Sequence, residues 1–134
     1  MTDRGFLEGT QTGDTIWHET STVGTERRQT VLALFNGRVD FANGEHGTYA
    51  GVEVITLGDE AEPFSGTHTF LLADDATSNQ SFEGVVTSSD APDRVNGIGT
   101  WKIIAGTGRL KDLQGGGSLT WTIEGERYFA KFSA

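Results

Sequence analysis

Phe64-Ser65-Gly66-Thr67-His68-Thr69-Phe70-Leu71-Leu72-Ala73 places Phe64, Gly66, His68, Phe70 and Leu72 on one side and Ser65, Thr67, Thr69, Leu71 and Ala73 on the other. Successive side chains of an extended chain point to opposite faces, so this period of two is the mark of a strand with one apolar face. Nowhere does the chain hold apolar residues at helical spacing for three turns. The stretch therefore sets the expectation for the whole molecule, an all-β protein built of antiparallel strands.

The same alternation recurs on both sides of it. Strands are expected over residues 4–10, 15–20, 27–35, 48–57, 64–73, 80–88, 99–105, 118–124 and 126–133, the first two being weakest and readable as one irregular segment. Between them lie turn-forming pairs: Asn36-Gly37, Asn43-Gly44, Gly58-Asp59, Asp74-Asp75 and Glu124-Gly125. Such short links join neighbouring antiparallel strands, and the last is short enough for a hairpin. Seven or more strands without helices must bury one face against themselves, as a barrel or a sandwich, and closure into a barrel also removes exposed edges.

Composition narrows the class further. At 134 residues the chain is the size of a single domain, expected to span 1–134, and it carries 19 glycines but only 2 prolines. Its net charge of −9 repels polyanions, so neither nucleic acid nor an anionic membrane is an expected partner. With no cysteine there is no disulfide, thiol nucleophile or thiolate metal site. His18, His46 and His68 are too scattered for a local metal motif, and no metal is expected. The first residues lack a charged segment followed by an apolar one, which sets a cytoplasmic location as the expectation.

The apolar faces collect aromatic residues. Trp101, Ile103 and Ala105 share one side of their strand, Leu119, Trp121 and Ile123 one side of theirs, and Tyr128, Ala130 and Phe132 one side of the last. With Phe64, Phe70 and Tyr49 these rings either fill the core or line a pocket for a small apolar ligand. Two ionisable residues interrupt the apolar faces. His68 is one; Glu53, in Gly51-Val52-Glu53-Val54-Ile55, shares its side with Tyr49, Ile55 and Leu57 on a strand whose two faces both look buried. Each has a structural alternative, a hydrogen-bonded core histidine for the one, and for the other an exposed or paired carboxylate whose valine neighbours face the core. If both face one cavity, they have the chemistry of a general acid and base.

Residues 97–117, Gly-Ile-Gly-Thr-Trp-Lys-Ile-Ile-Ala-Gly-Thr-Gly-Arg-Leu-Lys-Asp-Leu-Gln-Gly-Gly-Gly, run a strand into Gly106-Thr107-Gly108, a short apolar-basic stretch and a second glycine cluster. A turn accounts for Gly106-Thr107-Gly108 better than a dinucleotide-binding loop, since no helix pattern follows. The segment resembles the Gly-Thr-Gly-x-Leu/Phe element of the allene oxide cyclase barrel-like superfamily, which includes dirigent proteins, and residues 64–72 are similar to the strand preceding it there. The two matches cover about the last half of the chain. The resemblance implies an eight-stranded antiparallel barrel with an interior cavity, homo-oligomers, and positioning of an apolar reactive intermediate without a cofactor.

The functional expectation is a cofactor-free cyclase or isomerase acting on a small apolar organic molecule, with His68 or Glu53 handling a proton and Tyr49, Phe64, Phe70, Trp101, Trp121 and Tyr128 shaping the ligand. The alternatives are a non-catalytic carrier of a similar molecule and a structural barrel with a filled core.

Overall fold

The structure, a computed structural model, describes residues 4–22, 29–57, 63–91 and 94–134, without the side chains of residues 22, 29, 57 and 88–91. Eight strands follow in chain order: β1 (Gly9–Thr22), β2 (Gln29–Phe41), β3 (His46–Leu57), β4 (Pro63–Leu72), β5 (Thr77–Ala91), β6 (Arg94–Gly106), β7 (Gly116–Glu124) and β8 (Arg127–Ser133). Each pairs antiparallel with the next, and β8 pairs with β1, Gly9 opposite Phe132 and Gly13 opposite Tyr128, closing the barrel. The all-β, eight-stranded antiparallel barrel expected from the alternation and the glycine-rich element is thus the observed fold.

Closure fixes a stagger, because the strands of a barrel must tilt. One row of opposed inner residues leaves β6 at Val95 and passes through Ile123, Tyr128, Gly13, Gly37, Tyr49, Phe70 and Ser78 before returning to β6 at Gly106. Inner and outer residues alternate as the sequence foretold in β4, β7 and β8, where Phe64, His68, Phe70, Leu72, Leu119, Trp121, Tyr128, Ala130 and Phe132 are all buried. The rings pack against one another, Phe64 edge-on to Trp121 at 5.1 Å and Phe35 stacked on Tyr128 at 4.8 Å between centroids. Among the described residues, the grooves that stand out line the outer face, such as the one between Val52, Ser65, Thr67, Ser81 and Lys102.

One end of the barrel is plugged. The 3-10 turn Arg4–Leu7 lays Phe6 and Leu7 under it, Phe6 edge-on to Phe41 at 5.0 Å, and Ala76 and Leu110 complete the seal. Arg109 ties the loops beneath, bonding Glu45 and Asp74, with its guanidinium 5.3 Å from the Phe6 ring centroid. At the other end, where β3–β4, β5–β6 and β7–β8 are joined, Val31, Val86, Val95 and Ile123 are only partly buried against the core and form an apolar rim.

Several boundaries are corrected. Residues 4–10 are not a strand: the first four form the 3-10 turn, and β1 begins at Gly9 and runs on through a bulge between Thr15 and Trp17, which merges the two weak segments. Asn36-Gly37 is not a turn but lies within β2, opposite Asp14 and Gly13. Gly37 serves close approach there, since a side chain on it would meet the Thr12 carbonyl and, at 2.5 Å, the Gly13 Cα. Ala105 faces outward, because a register shift between Asn79 and Gln80 puts a bulge at Ile104. The outer face of β3 is not buried at Val54, which is 37% exposed. The start of 27–35 and the Gly58-Asp59 turn lie outside the described residues.

The other turns hold. In Asn43-Gly44 the Asn43 Oδ1 accepts from the Glu45 N–H at 2.9 Å, and in Asp74-Asp75 the second residue takes φ 67°, a conformation aspartate tolerates. Gly125, at φ 61°, turns β7 into β8 between the opposed Glu124 and Arg127. Gly106-Thr107-Gly108 turns into a 3-10 segment, Gly108–Leu110, rather than a helix.

Candidate functional site

His68 and Glu53 both point into the barrel, at 4% and 1% exposure, but into different surroundings. His68 lies opposite Gly51 on β3 and Gln80 on β5. Its ring stacks on Phe70 at 4.6 Å and tilts against Phe82 at 5.2 Å. Its Nε2–H donates to Gln80 Oε1 at 2.7 Å, and Nδ1 receives the Gln11 Nε2 amide at 3.5 Å. A carboxamide oxygen only accepts, so this arrangement selects the neutral tautomer with the proton on Nε2. The Gln80 amide continues to Ser78 Oγ at 3.5 Å, giving a buried chain Gln11–His68–Gln80–Ser78 across the barrel. Burial pushes the His68 pKa down to about 4, against a smaller upward pull from Gln80.

Glu53 sits between two small inner residues, Ala33 on β2 and Gly66 on β4. Its Oε2 has no hydrogen-bond partner among the described residues. Burial alone pushes its pKa up to about 8, so the carboxyl is largely neutral at pH 7. Its charge, when present, opposes ionisation of Tyr128, whose hydroxyl is pushed up first by burial, then by Glu53 and Tyr49. Tyr49 is likewise raised by burial and by the Asp14 carboxylate. The two tyrosine rings lie 6.3 Å apart and share Phe35 as a neighbour.

The barrel's register explains how two tyrosines fit there. Tyr128, Gly13, Gly37 and Tyr49 are successive members of one row, so two positions without side chains separate two large rings. The Tyr49 hydroxyl extends over them, 2.7 Å from where a Cβ on Gly13 would stand. Both hydroxyl oxygens, like Glu53 Oε2, are buried without a hydrogen-bond partner among the described residues. Buried polar groups are ordinarily paired, and each unmade bond costs about 1–3 kcal/mol. Tyr128, which stands beside Tyr49 and feels the Glu53 charge, links three such groups in an apolar core, and together they make the candidate site.

The other ligand-shaping candidates are dispersed. Phe70 belongs with His68, while Phe64 and Trp121 pack together toward the apolar rim. The Trp121 indole N–H is also without a partner among the described residues, its ring lying over Gly97, where a Cβ would stand 2.5 Å from Trp121 Cε2. Trp101 spends its N–H on the Ser133 carbonyl at 3.2 Å and packs edge-on to Phe132. The sequence had not singled out Gln11, Ser78 or Gln80. Ser78 and Gln80 share parity with the buried Phe82, a usable signal; Gln11 stands among Thr10, Thr12, Gly13 and Asp14, with no apolar neighbour to reveal its face.

Comparison with protein-family models, with curated proteins and with solved structures finds no match to this chain.

Proposed function

We propose that the barrel takes a small, mostly apolar organic molecule beside Glu53 and isomerises or cyclises it without a cofactor, Glu53 moving the proton. The observation that carries this reading is that Glu53 Oε2, Tyr49 Oη and Tyr128 Oη are buried without a partner among the described residues, with Tyr128 close enough to Glu53 and Tyr49 to feel both, in a wall of aromatic and aliphatic side chains. A carboxyl whose pKa is pushed up to about 8 is balanced near neutrality, where one group takes a proton and returns it efficiently. The rings contribute by holding a flexible substrate in one conformation, which removes orientational entropy before the chemical step. His68, with both nitrogens engaged, acts in this scheme by fixing Gln11 and Gln80 rather than by proton transfer. The apolar rim of Val31, Val86, Val95 and Ile123 is the side from which such a molecule enters.

A second reading, a structural barrel whose core is filled by its own side chains, is favoured by the closeness of the ring packing, as in Phe35 on Tyr128. The test is a panel of neutral alkenes, alcohols, ketones and epoxides of roughly drug-fragment size, screened by tryptophan fluorescence and followed by NMR for conversion. Conversion that falls at least about a hundredfold in Glu53→Gln, with binding retained, supports the enzyme. Binding without conversion in the unaltered protein gives the carrier, and a panel in which nothing binds leaves a filled structural barrel.

A further inference from the structure

We infer that the molecule held beside Glu53 is a neutral carbonyl compound, its oxygen received by the hydroxyls of Tyr49 and Tyr128; this rests on the interior site proposed above. The argument is one of donors and acceptors. An indole N–H only donates, and a phenol kept from ionising keeps its O–H. Of the unpaired buried atoms, Tyr49 Oη, Tyr128 Oη and Trp121 Nε1 carry hydrogens, as does the Glu53 carboxyl in its neutral form. Among the described residues, with Glu53 neutral, the unpaired atom that can only accept is Gln11 Oε1, and its carboxamide belongs to the His68 chain. The two phenol hydrogens and the indole hydrogen thus have no acceptor within reach among the described residues, and a ligand that satisfies the phenols must bring one.

Charge excludes the other acceptor classes. Among the described residues no lysine or arginine is buried, and the Asp14 carboxylate already bears on Tyr49, so a ligand carboxylate or phosphate would be buried uncompensated. An ammonium would bring donors where donors are in excess. A ketone or aldehyde oxygen has two lone pairs for two phenol donors, and in the row through Gly13 and Gly37 no side chain stands between the two tyrosines.

The same arrangement suits enolisation. Ionised Glu53 accepts a proton from the carbon next to the carbonyl; that C–H bond breaks, its electron pair becomes the C=C of the enolate, and the negative charge on oxygen is held by the two phenol O–H groups. Return of the same proton to another carbon of a conjugated enolate restores the C=O in an isomer. Nothing is oxidised or reduced, and no further reactant is consumed.

Acetophenone and its isostere α-methylstyrene, which has C=CH2 for C=O, are the probes, titrated into the full chain by tryptophan fluorescence. Acetophenone is expected to bind about tenfold tighter, the preference disappearing in Tyr49→Phe/Tyr128→Phe. The carbonyl stretch of bound acetophenone, read by infrared difference, shifts to lower wavenumber and loses part of that shift in each single variant, a readout that survives if the double variant folds poorly. Equal binding of the two probes, or a carbonyl band unmoved by either substitution, overturns the inference while leaving the interior site standing. No binding of either probe overturns the interior site itself.

Discussion

The Tyr49 hydroxyl lies over Gly13, two strands away across Gly37, 2.7 Å from the point where a side chain on that glycine would begin. Gly13→Ala should therefore be severe. The new methyl group would meet the Asn36 carbonyl of the neighbouring strand as well as the Tyr49 hydroxyl, and backbone cannot yield as a side-chain tip can. A loss of about 3 kcal/mol is expected in urea unfolding, the upper range for overpacking. Gly44→Ala, strained by φ 90° but with open space around it, should lose only about 1 kcal/mol. Equal effects at the two positions would contradict the close approach of β1 and β2.

Glu53 makes stability fall as pH rises. In the unfolded chain it ionises near 4.5, whereas in the barrel its pKa is about 8, so between these values the folded state holds the extra proton. Stability declines through that window by up to about 1.4 kcal/mol per pH unit and levels off above it. Glu53→Gln should flatten the alkaline limb between pH 6.5 and 8, measured by thermal unfolding at fixed ionic strength. An unchanged limb would place the titrating group elsewhere.

His68 acts in the opposite direction. It protonates near 6.5 when unfolded and near 4 in the barrel, so its contribution is complete above pH 6.5 and is lost as pH falls toward 4. Between pH 4.5 and 6.5 the two slopes oppose each other and a plateau is expected. Removing the acceptor on its Nε2 by Gln80→Leu should cost about 1–3 kcal/mol. The nitrogen-15 spectrum of His68 at pH 6 should show the neutral Nε2–H form; an imidazolium signal there would refute the assigned tautomer.

Tyr49→Phe and Tyr128→Phe each delete a buried hydroxyl without a partner among the described residues while keeping the ring. Each should leave the ligand-free protein as stable or more stable by up to about 1 kcal/mol, the reverse of most core changes. A loss of 2 kcal/mol or more in either would reveal a hydrogen bond at that hydroxyl.

How much was legible depended on local regularity. In β4, β7 and β8 the alternation is unbroken, and the inward positions of His68, Trp121 and Tyr128 could be read directly. Glu53 was legible for the same reason, as an ionisable residue in phase with Tyr49 and Ile55. β1 was not. Its inner positions Gln11, Gly13 and Thr15 carry no apolar side chain, while Ile16 and Trp17 at the bulge are exposed, so hydrophobic pattern and strand parity disagree. Asn36-Gly37 misled because one glycine can mean a turn or a close approach, and only the facing strand decides which. Tyr49 and Tyr128 were read for their rings; that the two become neighbours depends on the row through Gly13 and Gly37, a relation among strands distant in sequence.

That row winds round the wall, leaving β6 at Val95 and rejoining it at Gly106. Deleting one residue within a regular stretch of strand, away from the bulges of β1 and β6, would do more than turn its later side chains inside out, for every row crossing that strand would have to rejoin at a different level. The loops have no such arithmetic imposed on them. Length variation that this barrel tolerates should therefore be confined to its hairpin links and its bulges, and variants recovered from random insertion should cluster there, leaving the regular strand stretches their present count of residues.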